Sequence, residues 1–160
     1  MALYGIEAVI REVLAVLVAG MPAKLAALAA EYGDGVAPAA PAAEGYLLHV
    51  ARPLPTPPLI IVLAQPESSE PEGLPSEIPM TYAVQVDVVT RAADPAASTV
   101  ELWRYWRAVK ELLLATNALA VGDCTLRGVD WSQPTITDPD SGDELADIPG
   151  VFNVTTYEIA

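Results

Sequence analysis

The ten residues 81–90, TYAVQVDVVT, set the tightest limit on what this chain can become. Their alternation has a period of two, the signature of a β-strand with one face buried and one face polar. Tyr82, Val84, Val86 and Val88 point one way; Ala83, Gln85 and Asp87 point the other. A strand of this kind needs a sheet to pair with and a second layer to cover its apolar side. Two helical segments are available for that layer. In residues 3–19, Ile6, Val9, Ile10, Val13, Leu14 and Leu17 recur at helical spacing. Val16 and Val18 widen the apolar arc, which predicts cover on more than one side. Gly20 and Pro22 are expected to interrupt this helix, with a short second helix over 22–32 ending at Gly33.

The remaining segments fit the same plan. YLLHVA (46–51) and PLIIVLA (58–64) are predicted strands, separated by the proline-rich RPLPTPP. A long helix is expected over about 96–116, capped by Ser98 or by Asp94 with Pro95 as its first residue. DCTLRGVDW (123–131) is a strand whose alternation slips at Gly128, where a bulge is expected, and VFNVTTYEI closes the chain. The strands run consecutively, so the class is α+β: a mostly antiparallel sheet with an N-terminal helix and a long second helix packed on one face. The 160 residues form a single domain, with acidic, proline-rich loops at about 65–80 and 132–150.

Charge narrows function. Twenty-one acids against eight basic residues give a net charge of −13. Phosphate affinity comes from Lys and Arg, so the charge argues against a protein that grips nucleic acid or an anionic membrane. The one cysteine, Cys124, allows neither an intrachain disulfide nor a cysteine-based zinc site. The start lacks the basic region of a secretory signal, and its longest uncharged run is shorter than a membrane span, so a soluble intracellular protein is expected.

Catalytic patterns are scarce. His49 is the only histidine, with no nucleophile near it in sequence, and is read as a structural strand residue. No glycine-rich phosphate loop opens a helix. The stretch around Asp138, Asp140, Asp143, Glu144 and Asp147 carries oxygen ligands suited to calcium. The EF-hand spacing fails, however, because Gly142 falls at position five and Asp143 at six. A solvated turn at Pro139 and Gly142 accounts for the stretch. No catalytic residue, metal site or cofactor is assigned.

The stretch ELWRYWRAVKELLLATN (101–117) concentrates aromatic and basic residues. On a helical wheel Leu102, Tyr105, Trp106, Val109, Leu112 and Leu113 share one arc of about 120°, the expected core face. Arg104, Arg107 and Glu111 lie opposite. Trp103 falls off the core arc, near Arg107, Lys110 and Leu114, a combination suited to a protein interface or to cover by a neighbouring loop. Nucleic-acid stacking is disfavoured, since the basic patch is small and flanked by Glu101 and Glu111.

YAVQVDVVTRAAD, LWRYWRAVKELL and GVDWSQP, following an N-terminal amphipathic helix and a β region, resemble tail terminator (tail completion, minor tail protein U-like) proteins of long-tailed bacteriophages. The sequence-level likeness spans roughly 81–133. It implies a non-enzymatic virion subunit, assembled in the host cytoplasm into a hexameric ring. Such a ring caps the tail tube, meets the head–tail connector, and lets DNA pass through its lumen without specific binding. A ring needs two different contact patches per subunit. The candidates are Val16 and Val18 on the first helix, and Trp103, Arg107, Lys110 and Leu114 on the second. The acidic residues Glu67, Glu70, Glu72, Glu77, Asp138, Asp140, Asp143 and Glu144 are candidates to face the channel or a partner. Three rivals stand beside this reading: a head–tail connector or head-closure protein, a metal-dependent hydrolase using acidic loop residues, and an adaptor domain that binds a protein partner.

Overall fold

The computed structural model describes residues 6–65, 78–91, 94–115, 125–131, 135–137 and 145–158. Helix α1 (Ile6–Tyr32) leads into a 3-10 turn (Ala43–Gly45) and strands β1 (Tyr46–Leu47), β2 (Leu59–Ala64) and β3 (Ile78–Arg91). Helix α2 (Pro95–Ala115) follows, then β4 (Thr125–Trp131), β5 (Thr135–Thr137) and β6 (Leu145–Glu158). The sheet order is β1-β2-β3-β6-β4, with β5 also paired to β6. Every pairing is antiparallel except β1 with β2. This is the expected α+β class.

Both helices cover one face of the sheet. The alternation of β3 is realised as read: Tyr82, Val84, Val86 and Val88 are buried, while Ala83, Gln85 and Asp87 are half-buried on the other face. Ile60 and Val62 of β2 and Ala146, Ile148 and Phe152 of β6 join the core from the sheet. From the helices come Val9, Val13, Leu17, Met21, Leu25 and Leu28, with Leu102, Tyr105, Trp106, Ala108, Val109 and Leu113. Each side chain of this size gains about 1.5–3 kcal/mol from full burial, so the helical stripes stabilise the helices more than propensity does.

Three expectations are corrected. First, α1 does not break at Gly20 and Pro22; it runs 27 residues. Pro22 removes one helical hydrogen bond, at a cost of about 3 kcal/mol in a helix interior. Leu17, Met21 and Leu25, all buried, hold both sides of the proline to one core and offset that cost. Gly20 is there for proximity: a Cβ on it would come 2.5 Å from Leu112 Cδ2, so α2 crosses α1 at this point. By length and composition alone α1 is also apolar enough to cross a membrane; here its buried stripe belongs to the shared core.

Second, the closing strand begins at Leu145, not Val151, so part of the expected loop 132–150 is sheet, as is 135–137. Pro149 sits inside this strand because it falls between two pairings: β5 takes Leu145–Asp147 and β4 starts at Gly150. β3 likewise starts earlier, at Ile78. Third, β1 is only two residues long, so His49 lies beyond it and is exposed rather than a structural strand residue.

The predicted slip in β4 is present. Leu126 pairs with Val154 and Val129 with Phe152, which places one extra residue on β4 around Gly128. Asp94, the second of the two cap candidates, caps α2: its Oδ1 accepts from Ala96 N at 3.0 Å, with Pro95 as the first helical residue. Ser98 instead donates through its hydroxyl to Arg91 O at 3.0 Å, tying α2 to the end of β3.

Candidate subunit-contact surface

Helix α2 presents its core arc inward much as the wheel predicts. Its outer side is not the bare polar face that was expected. Arg104, placed opposite the core by periodicity, is 5% exposed. The reason is the chain after α1. Gly33 (φ 60°) and Gly35 (φ 84°) take left-handed conformations, and Gly33 N caps α1 by donating to Ala29 O at 3.0 Å. The turn brings Asp34 and Val36 across α2. Arg104 pairs with Asp34 through Nη2 and donates through Nη1 to Val36 O at 3.2 Å. Its guanidinium lies 3.7 Å from the centroid of the Tyr32 ring. The Asp34 carboxyl is held below its usual value by the Val36 N–H and by Arg104. Tyr105 reaches out of the core arc to donate to Ala39 O, and burial pushes its hydroxyl above the usual range.

Arg107 is committed as well. Its Nη2 meets Glu31 at 2.9 Å, its Nε meets Glu111 at 2.6 Å, and its Nη1 donates to the Tyr32 hydroxyl at 2.7 Å. Glu111 is shared with Lys24 of α1, and these two cations hold its carboxyl below the usual range. Arg107 therefore works as a clamp between helices.

Trp103 remains 52% exposed. It borders a groove of about 590 Å³ lined by Tyr32, Asp34, Val100, Trp103, Trp106 and Lys110, among others. Val100 (41%) and Leu114 (48%) extend the apolar surface along the same helix, and Tyr32 (47%) faces it from α1. Lys110 is exposed and, among the described residues, has no ion-pair partner. Trp106 forms the inner wall. Its indole N–H is buried without an acceptor among the described residues, and its ring stands over Gly150 and tilts against Phe152 at 5.4 Å between centroids.

The sequence-derived candidates thus divide. Trp103, Arg107 and Lys110 come together on the groove, with Leu114 exposed further along α2. On α1, Val18 is exposed, whereas Val16 packs against the core cluster. Glu67, Glu70, Glu72, Glu77, Asp138, Asp140, Asp143, Glu144 and also Cys124 lie outside the described residues. Tyr32, Asp34 and Val100 were missed. The Gly33-Asp34-Gly35 turn carried the signal for the first two, since a helix cap followed by a turn sends the chain back across its neighbour. A second exposed apolar pair, Val50 and Leu54, lies on the connection between β1 and β2, also unforeseen.

Among the described residues, no group of three or more His, Cys, Asp or Glu side chains is placed to hold a metal ion. No protein-family profile matches the sequence, and no curated protein matches it. Among solved structures, the chain is similar to a chain of the virion of a native gene transfer agent particle. Identity is 17%, the TM-score is 0.45, and the match covers 89% of this chain and 98% of that one.

Proposed function

We propose that this chain is a non-enzymatic structural subunit of a phage-like virion, closing head to tail into a ring at the end of the tail tube through which DNA passes. The observation that carries the reading is the placement of large exposed apolar side chains on separate elements. Val100, Trp103 and Leu114 lie on α2, and Val50 and Leu54 lie on the β1–β2 connection. A heterologous ring contact needs two different patches on each subunit, whereas a two-fold dimer needs one self-complementary patch. Trp and Tyr are enriched among interface anchors, and Trp103 and Tyr32 both stand exposed at the groove.

The charge supports the second half of the reading. A net charge of −13 gives a ring that repels the phosphate backbone, so DNA slides in the lumen instead of sticking. The segment 138–144, with Asp138, Asp140, Asp143 and Glu144, is the candidate to line that lumen. The residues quoted above for the resemblance to tail terminators support the place in the particle, with the tail tube protein and the head–tail connector as neighbours. A head–tail connector or head-closure subunit has the same physical description and differs only in location. Electron microscopy of the purified chain mixed with tail tubes tests the assignment. Rings seated on tube ends are expected; rings that bind only head connectors would move the chain to the neck, and tubes left bare would refute the terminator role.

A further inference from the structure

We infer that the groove between α2 and Tyr32 receives the β1–β2 connection of a second copy of this chain, residues 48–58, with Val50 and Leu54 seated against Trp103, and that this contact closes the ring. The inference rests on the ring reading above and names which surface meets which.

The groove is walled by the rings of Tyr32, Trp103 and Trp106, with Val100 beside them. Aromatic-lined grooves take proline-rich segments, whose fixed φ leaves little backbone freedom to lose on docking. The connection carries four prolines in the seven residues 52–58, RPLPTPP, and it holds Val50 and Leu54 out to solvent. Charge points to the same pairing. Two copies at −13 each repel, so they meet most readily where acids are few. Residues 45–65 contain no acid at all. The acid that precedes them, Glu44, lies beside the end of the connection, since a Cβ on Gly45 would stand 2.9 Å from Pro58 O. Glu44 is exposed and, among the described residues, has no ion-pair partner. On the groove the cations are not equal. Arg104 is paired with Asp34, and Arg107 with Glu31 and Glu111, which leaves Lys110 for Glu44 of the second copy.

The fold keeps a subunit's own connection out of its own groove. The groove is lined by the end of α1, the turn after it and α2, with nothing from residues 46–58. Pro57 and Pro58 instead share a cavity of about 250 Å³ with Glu101 and Tyr105. At 100° per residue those two lie about 160° around α2 from Trp103, on the opposite flank of the helix. The sheet gives the same answer. β1 stands at one end of the order β1-β2-β3-β6-β4, whereas Trp106, the inner wall of the groove, stands over Gly150 of β6, three strands away. That is about 14 Å across the sheet. Patches on opposite flanks suit a head-to-tail contact, in which every subunit offers one and receives the other.

Three measurements test this on the full chain. In the first, a benzophenone photo-crosslinking amino acid replaces Leu54. Assemblies of isotope-labelled and unlabelled chains, in solution or on tail tubes, are irradiated and mapped by mass spectrometry. Crosslinks between copies are expected on Tyr32 or on residues 99–110 of α2. Crosslinks between copies that fall only elsewhere overturn the proposal. In the second, Trp103→Ala is mixed with a chain carrying Val50→Ser and Leu54→Ser. All three side chains are exposed, so both variants should keep a near-wild-type Tm. Each variant alone retains one competent surface and associates at least about tenfold more weakly than the wild type. The equimolar mixture stops at one-to-one pairs, because only one productive contact can form. Assembly of either variant alone at wild-type strength, or a mixture that stays monomeric, refutes the contact. In the third, Lys110→Glu weakens assembly several-fold and Glu44→Lys in the same chain restores it; a double variant no better than Lys110→Glu refutes the pairing of these two residues. The ring and the contact fail separately. Wild-type rings that persist with Trp103→Ala sink the groove contact alone, and a wild type that stops at open chains while the two variants still pair sinks the ring alone.

Discussion

Gly150 is the position where the packing makes its sharpest demand. It lies in β6, between Ile148 and Phe152 on the core-facing side, paired with Val86 on one strand and Trp131 on the other. A Cβ built on it would stand 1.8 Å from Trp106 Cη2, 2.5 Å from Cζ3 and 2.6 Å from Cζ2. Ordinary contact is about 3.5–4 Å, so the overlap is about 2 Å against a rigid ring. Trp106 has little room to yield, being 6% exposed and held against Phe152. Gly150→Ala is expected to destabilise the chain by about 3 kcal/mol, the upper part of the usual overpacking range. In a protein of this size that lowers Tm by about 6–12 °C. The cause is isolated with Trp106→Phe, which removes the three clashing atoms at its own cost of about 1–2 kcal/mol. In that background Gly150→Ala should cost less than about 1 kcal/mol, a coupling near 2 kcal/mol measured by denaturant unfolding of all four proteins. Costs that add to within about 0.5 kcal/mol, or a single mutant of wild-type stability, would refute the argument.

Trp103→Ala should shift Tm by less than about 2 °C, since the ring is half exposed, yet abolish self-association by light scattering; a large fall in Tm would make Trp103 a core residue. Arg104→Ala removes a buried guanidinium that packs on Tyr32 and bonds Val36 O, and should cost about 1–2 kcal/mol in urea unfolding. A change under about 0.5 kcal/mol would mean that the turn over α2 holds without it. Asp87, half-buried with Asp147 nearby, has its carboxyl pushed above the usual range by desolvation first and by Asp147 last. A raised carboxyl binds its proton more tightly in the folded state, so folding loses stability as pH rises through its folded value. Asp87→Asn should therefore raise Tm at pH 7, with the gain shrinking as pH falls and vanishing below the unfolded aspartate value of about 3.9, where the carboxyl is protonated in both states. A gain that is independent of pH would contradict the assignment.

Much of this fold was legible because local pattern and tertiary demand agree. The period of two in β3 survives as a buried row from Tyr82 to Val88, and the bulge follows from Gly128 interrupting the alternation. The failures have a common physical source, which is that tertiary packing overrode a local rule. Pro22 reads as a break, but buried residues on both sides keep α1 continuous. Pro149 reads as a loop residue, but it lies opposite Asp87 of β3 and, among the described residues, between the Gly150 pairing to β4 and the Asp147 pairing to β5. Arg104 reads as solvent-facing, but the turn at Gly33 and Gly35 folds over it. A helical wheel reports which face a residue occupies and cannot report what comes to lie on that face. The same limit applies to the candidate surface: Trp103 stood out as an off-arc tryptophan, while Tyr32, seventy-one positions away (103 − 32), joins it only through the antiparallel packing of α1 on α2.

The central claim is that the chain closes into a ring through two different patches. Light scattering coupled to size exclusion, run on the purified protein alone and after incubation with tail tubes, addresses it most directly. A single closed assembly of fixed mass, in solution or on the tubes, is the predicted result. A chain that stays monomeric in both conditions, or that stops at a two-fold dimer, would contradict the account.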